Sequence, residues 1–187
     1  MCRRVAMTDL VAVSKFLSFV LRHAPEEADL VMERDGWVEI DQLLANAPAH
    51  LKLDRELLDE VVASSGKQRF AVSGDGARIR ANQGHSVAVD LGLDPKRPPE
   101  VLFHGTASRF VGAILLEGLV PGERQDVHLS ADEKTAVTVG SRHGKPVVLR
   151  VDAKALHDAG HQFRQAENGV WLTGHVPPAR LSVVDVS

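Results

Sequence analysis

The chain has 187 residues, enough for one domain or two small ones, and its 44% apolar and 25% charged content is ordinary for a globular protein. A net charge of −3 excludes nucleic-acid binding by overall attraction and leaves that role to a local basic patch. The single cysteine, Cys2, excludes an internal disulfide and a cysteine-based zinc site.

Neither half is basic on balance. Residues 1–97 carry 13 Lys+Arg against 15 Asp+Glu, and residues 98–187 carry 9 against 10. The longest apolar stretch, Leu10 to Leu21, is interrupted by Ser14, Lys15 and Ser18, and is too short and polar to span a bilayer. Arg3 and Arg4 precede it, but Arg22-His23 stands where a signal peptide would carry small residues. A cytoplasmic protein with no membrane association is expected.

In chain order, Leu10, Val13, Phe16, Leu17 and Val20 form one helical stripe. That helix should stop near Ala24-Pro25, which places Arg22 and His23 at its C-terminal end, where the helix dipole favours cations. Gly36 to Ile40 reads as a short extended piece, and Asp41 is expected to cap a helix running to about Ala47. Asp54 should cap a second helix, with Leu57, Leu58, Val61 and Val62 facing inward and Gly66 ending it. Arg69 to Val72 and Ala77 to Arg80 flank Ser73-Gly74-Asp75-Gly76, a hairpin pattern. Three helices followed by a hairpin is the winged-helix order.

Residues 91–99 are rich in proline, glycine and charge and read as a linker between domains at 1–90 and 100–187. Beyond it the periodicity predicts strands at Val101–Phe103, Val127–Leu129, Pro146–Val151, Gly169–Thr173 and Leu181–Val186. Helices are expected at Phe110–Leu119, ending at Gly118 or Gly122, and from Asp132 to about Val139. The fold class is α+β.

Four groups carry potential chemistry. Arg22-His23 sits at a helix end. Lys67, Arg69, Arg78 and Arg80 against Asp75 give a local +3 on the hairpin, a patch of phosphate size or a solvated face. His104-Gly105-Thr106 follows a strand, where glycine would let a ligand approach the backbone. Arg124 to Ser130 places His128 on a strand just after an arginine. His157 and His161 have a metal-pair spacing, but Gly160 and the lack of a third ligand argue for no metal. There is no P-loop, dinucleotide fingerprint or nucleophile elbow. Trp37 and Trp171 read as core residues.

Taken together the groups are more specific. Leu17 to His23, Asp35 to Val38, Lys67 to Phe70, Ile79 to Ser86, Leu102 to Thr106, Val127 to Ser130 and Gln165 to Leu172 resemble, in order, the motifs of the RNA (tRNA) 2′-phosphotransferase family. The resemblance implies a winged-helix N-terminal lobe that holds RNA and an ADP-ribosyltransferase-like C-terminal lobe that holds NAD. It implies NAD-dependent removal of an internal RNA 2′-phosphate. The phosphate displaces nicotinamide from the ribose C1 to give an ADP-ribosylated 2′-phospho-RNA. The ribose 2-hydroxyl then attacks phosphorus, releasing 2′-hydroxyl RNA and ADP-ribose 1″,2″-cyclic phosphate. No metal is required, and nothing demands more than a monomer.

Carried onto this sequence, the family's essential set is Arg22, His23, Arg69 and Arg124, with the arginines suited to clamping a dianion. His104, Gly105, Thr106, His128, Ser130 and Val170 are the NAD-binding expectation, and Lys67, Arg78 and Arg80 the RNA-binding one. Many relatives with this C-terminal lobe carry glutamate where Val170 stands; valine leaves the ribose 2-hydroxyl available for the second step. Glu167, close by in sequence, is the candidate for a displaced carboxylate. Asp126 departs from the family, where many members have histidine; it either tempers the charge of Arg124 or faces solvent. Two rival readings stay open. One is a one-step ADP-ribosyltransferase acting on a nucleic-acid 5′-phosphate or a protein. The other is a winged-helix DNA-binding regulator, although the helix after Asp54 is net acidic.

Overall fold

The computed structural model describes residues 7–65 and 68–184, so the expectations for Cys2, Gly66 and Lys67 lie outside the described residues. The chain divides into two compact units, Met1–Gly92 and Leu93–Ser187. Every strand pairing described below is antiparallel, in keeping with an α+β class.

In the first unit α1 spans Met7–Val20. Its stripe is buried as the periodicity demands: Val13, Leu17 and Val20 are nearly inaccessible, and Leu10 and Phe16 pack at the margin. Strand β1, Val38–Glu39, leads into α2, Ile40–Asn46. Here Asp41 does not cap: the cap position falls at Glu39, because the Ile40 amide still bonds the Ala77 carbonyl across the sheet. Asp54 does cap α3, Arg55–Ser64, through the Leu57 amide at 2.9 Å, and Leu57, Leu58 and Val61 face the core.

The hairpin is β2, Phe70–Val72, and β3, Arg78–Ala81, turning through Ser73–Gly76, whose ends bond at 2.8 Å. Strand β1 joins the far side of β3, giving the order β1-β3-β2. Trp37 is half-buried rather than core: the Arg80 and Arg78 guanidinium groups lie 4.6 and 5.8 Å from its ring centre.

In the second unit β4 covers Val101–Ala107 and is followed by α4, Ser108–Glu117, which ends at Gly118 as expected. Strand β5 is Val127–Leu129; α5 is Glu133–Gly140, capped by Asp132; β6 is Pro146–Asp152. A short helix α6, Ala153–Asp158, and strand β7, Phe163–Gln165, carry too few residues to show a period. Strand β8 is Trp171–Thr173, with Gly169 in the turn before it at positive φ, and β9 is Leu181–Val184. The strands form two sheets, β4-β6-β9 and β5-β8-β7, bridged where Phe103 and Ser130 exchange backbone bonds at 2.7 and 2.9 Å. The Lys96 amide bonds the Phe163 carbonyl at 2.7 Å, so the end of the expected linker lies along β7.

His104-Gly105-Thr106 lies inside β4, not after a strand: all three pair with β6. The glycine answers a packing need. A Cβ at Gly105 would fall on the Ala136 carbonyl, and one at Gly140 would stand 2.6 Å from the Thr106 carbonyl. Helix α5 therefore rests backbone to backbone on β4, and the close approach expected of a ligand at Gly105 is made by the protein itself. Gly105→Ala should cost about 3 kcal/mol by overpacking, read from urea denaturation. A variant as stable as the parent would mean that α5 is not seated there.

His85 is only 4% exposed in the first unit. Burial, reinforced by the charges of Arg22, His23 and Arg80, pushes its imidazole down to about 4. In the unfolded chain it titrates near 6.5, so below that pH the unfolded state binds the proton first. Its stability contribution is complete above about pH 6.5 and is lost as pH falls through about 4. His85→Gln should flatten the loss of stability across that window in denaturant titrations, whereas an unchanged acid limb would clear His85 of the effect.

Candidate active site

The first unit gathers three of the four expected catalytic residues. Pro25 cannot continue a helix, and the turn from Leu21 to Ala24 closes on the Phe19 carbonyl, which takes the His23 amide at 2.9 Å. The Arg22 carbonyl accepts the Ser86 amide at 2.9 Å and the Val87 amide at 3.3 Å. His23 Nδ1 lies 2.9 Å from Ser86 Oγ. Gly84, at positive φ, runs its backbone along the Arg22 guanidinium, where a Cβ would meet it at 3.8 Å.

Arg69 reaches the same neighbourhood from the start of the hairpin. Its amide and Nη1 approach Ser65 Oγ at 3.3 and 3.5 Å. The buried Asn82 holds both sides of this segment: its amide bonds the Arg69 carbonyl at 2.9 Å, and its Nδ2 donates to the Gln68 carbonyl at 2.7 Å. His23 and Arg69 line one groove of about 520 Å³ between α1 and α3, together with Ser14, Ser18, Ser64 and Phe19.

The expected RNA contacts of the hairpin are more constrained. Arg78 Nη1 pairs with Glu33 at 3.2 Å, so much of its charge is answered within the protein. Arg80 stacks on Trp37 and donates to the Asp35 carbonyl at 3.4 Å. Both lie on one side of β3, around the Trp37 ring.

In the second unit His104, His128 and Arg124 form a connected set. His104 Nδ1 donates to the His128 carbonyl at 3.1 Å, which fixes the hydrogen on Nδ1 because a carbonyl only accepts. Burial holds the His104 imidazole below its ordinary value; the bond to His128 opposes this and the Arg124 charge adds to it. His104 is therefore neutral near pH 7. Arg124 Nη1 donates to His128 Nδ1 at 3.4 Å, which turns the arginine back along β5. Ser130 is fixed beside β4 through its backbone, and the β5–β8 register, with Leu129 opposite Trp171, runs on toward Ser130 and Val170. Thr106 is buried.

Asp126 neither tempers Arg124 directly nor faces solvent. Its Oδ1 accepts from Arg164 Nη2 at 2.6 Å, tying the loop that carries Arg124 to β7. Burial raises the Asp126 pKa, opposed by the Arg164 charge and hydrogen bond. Arg164 had no motif to mark it, since a cross-strand partner 38 residues away leaves no local signal. Ser86 and Asn82 stood inside a recognised motif without a role. His157 and His161 do not share a helix, since α6 ends at Asp158; among the described residues no group of three His, Cys, Asp or Glu is placed to hold a metal. Arg164→Ala leaves the Asp126 carboxylate under cover without its partner and should cost roughly 1–3 kcal/mol. Adding Asp126→Asn should recover most of that in thermal melts. Equal melting of the single and double variants would show that the pair holds nothing.

Residues 8–175 match the model of the RNA 2′-phosphotransferase, Tpt1 / KptA family. Three relatives named "Probable RNA 2'-phosphotransferase" show how closely. The protein of Hahella chejuensis is 57% identical over 180 residues, covering 95% of this chain and 96% of its own. That of Agrobacterium fabrum is 60% identical over 173 residues, covering 92% and 93%. That of Pseudomonas aeruginosa PAO1 is 57% identical over 166 residues, covering 88% and 91%. With a family match across nearly its whole length, the chain belongs to the RNA 2′-phosphotransferase family.

Proposed function

We propose that this protein is an enzyme that removes an internal 2′-phosphate from RNA by transferring it to NAD. The observation that carries the proposal is the family match over residues 8–175, which includes every residue of the catalytic set. The first unit is read as a winged-helix lobe for RNA; its support is the sequence of three helices and a hairpin, with β1 closing the sheet against β3. The second is read as an ADP-ribosyltransferase-like lobe; its support is the pair of three-stranded antiparallel sheets with His104 on β4 and His128 on β5.

Arg22, His23 and Arg69, in the first unit, bind the 2′-phosphate; Arg124, in the second, is the fourth member of the family's essential set. Guanidinium groups suit this task because each offers planar paired donors and stays charged at any working pH. Charge moves among phosphate oxygens in the reaction, so cations fixed in advance lower the barrier without reorganising. His23 donates a proton to, or takes one from, the same phosphate.

The residues of β4 and β5 fit NAD as co-substrate. His104 is neutral, and its Nδ1 is committed to the His128 carbonyl, so Nε2 is left as an acceptor suited to a ribose hydroxyl. Bound there, NAD supplies the ribose C1 that takes the phosphate, nicotinamide as leaving group, and the hydroxyl that finally frees the RNA. Val170 offers that hydroxyl no acceptor side chain. The same soluble chemistry suits a cytoplasmic enzyme, and among the described residues no helix is long and apolar enough to cross a membrane.

Incubation with NAD and an end-labelled RNA bearing one internal 2′-phosphate should yield 2′-hydroxyl RNA and ADP-ribose cyclic phosphate. Arg22→Ala, Arg69→Ala and Arg124→Ala should each slow the reaction by roughly 10²–10³-fold. ADP-ribose that stays on the RNA as end product would replace the proposal by a one-step transferase. Untouched NAD with unchanged RNA would refute it.

A further inference from the structure

The loop after β3 reaches back to the end of α1 and touches the two residues on which the first unit's chemistry depends. Ser86 is its point of contact. The Ser86 amide bonds the Arg22 carbonyl at 2.9 Å, which fixes the serine backbone. Its Oγ then lies 2.9 Å from His23 Nδ1 and 3.4 Å from the Arg22 carbonyl oxygen. The loop is anchored behind it: His85 is buried, Gly84 lies along Arg22, and Asn82 holds the segment before β2.

We infer that Ser86 is a positioning residue that sets the tautomer of His23, accepting a hydrogen bond from Nδ1–H and so making Nε2 the nitrogen that exchanges a proton with the substrate phosphate. The inference rests on the role given to His23 above. A serine hydroxyl has one hydrogen and two lone pairs. The Arg22 carbonyl can only accept; it already takes the Ser86 and Val87 amides at 2.9 and 3.3 Å, and the hydroxyl hydrogen reaches it as a third, longer donor at 3.4 Å. Directed to the carbonyl, the hydroxyl presents a lone pair to Nδ1, and the imidazole hydrogen must then reside on Nδ1. The opposite polarity would spend the hydroxyl hydrogen on His23, lose the carbonyl contact and leave Nε2 protonated in the neutral ring. When His23 is protonated the same bond persists unchanged, so gain and loss of the proton both occur at Nε2. Which ring nitrogen carries the hydrogen is thus decided by what the other one touches.

Two measurements on the full chain test this. Long-range proton–nitrogen NMR of the His23 ring, assigned against His23→Ala, reads the tautomer directly. Nδ1–H is expected in the parent and a shift toward Nε2–H in Ser86→Ala. In the RNA assay Ser86→Ala should lower turnover by roughly 5–10-fold, the value of one hydrogen bond, with the NAD dependence unchanged. Ser86→Thr, which keeps the hydroxyl, should stay within about threefold of the parent. Ser86→Ala should have no further effect in a His23→Ala background. Nε2–H in the parent, full turnover in Ser86→Ala, or an equal penalty without His23 would each overturn the inference. The NMR arm needs no turnover. A chain that leaves the 2′-phosphate in place while showing Nδ1–H at His23 would sink the proposed reaction and keep the Ser86 assignment; an active chain with Nε2–H would do the reverse.

Discussion

A helix that ends must find donors for the carbonyls it releases, and the first unit is organised around how α1 meets that demand. Pro25 follows too closely for the helix to continue, so the chain turns at Leu21–Ala24. The Arg22 carbonyl then lacks an intrahelical partner. Two consecutive amides, Ser86 and Val87, supply one. That bond is local in energy, about 1 kcal/mol, but long-range in consequence. It joins residues more than sixty positions apart and brings the loop after β3 onto the helix end. Arg22 and His23 are presented on a backbone held at both sides, and Asn82 extends the same bracing to Arg69.

The second unit reaches comparable precision by a different route. Its key element is a contact with no side chain on either face, β4 against α5 at Gly105 and Gly140. Two backbones this close leave little freedom to slide, because any displacement breaks the β4–β6 ladder or opens a void. His104 precedes Gly105 directly, so its backbone is held by that contact. The carbonyl of His128 then fixes the ring's hydrogen. Arg124 sits on a loop and gains its constraint from two side-chain ties, to His128 directly and through Asp126 to Arg164.

What the sequence disclosed followed period and punctuation. The α1 stripe, the Asp54 cap, the hairpin around Ser73–Gly76 and the strand at Val101 rest on local patterns, and the structure carries each of them. The misreadings have tertiary causes. Asp41 looks like a cap, but the Ile40 amide was already committed to Ala77. Gly105 looks like a ligand cradle, but the space above it belongs to α5. Trp37 looks like core, yet two arginines use its ring as a platform. Strand β7 and helix α6 span three and six residues, below the length at which a period can be counted. The site residues were legible as motifs, while the groups that orient them were not. Arg164 acquires its role only through a partner far away in the chain.

The acidic balance of the chain and its cationic chemistry are compatible because charge acts over a short range. At physiological ionic strength surface charges separated by more than about 8 Å are largely screened from each other. Scattered carboxylates therefore set the net charge of −3 without cancelling a cluster. Only a carboxylate inside the cluster would do that. Asp126, two residues from Arg124, is the natural intruder, and Arg164 neutralises it. In the first unit the buried histidine among Arg22, His23 and Arg80 is held neutral rather than charged. A neutral filler adds no repulsion and no competing anion, so the cations around it keep their charge unanswered by it. A cationic cluster in an acidic chain thus depends as much on what the protein keeps uncharged as on the arginines themselves.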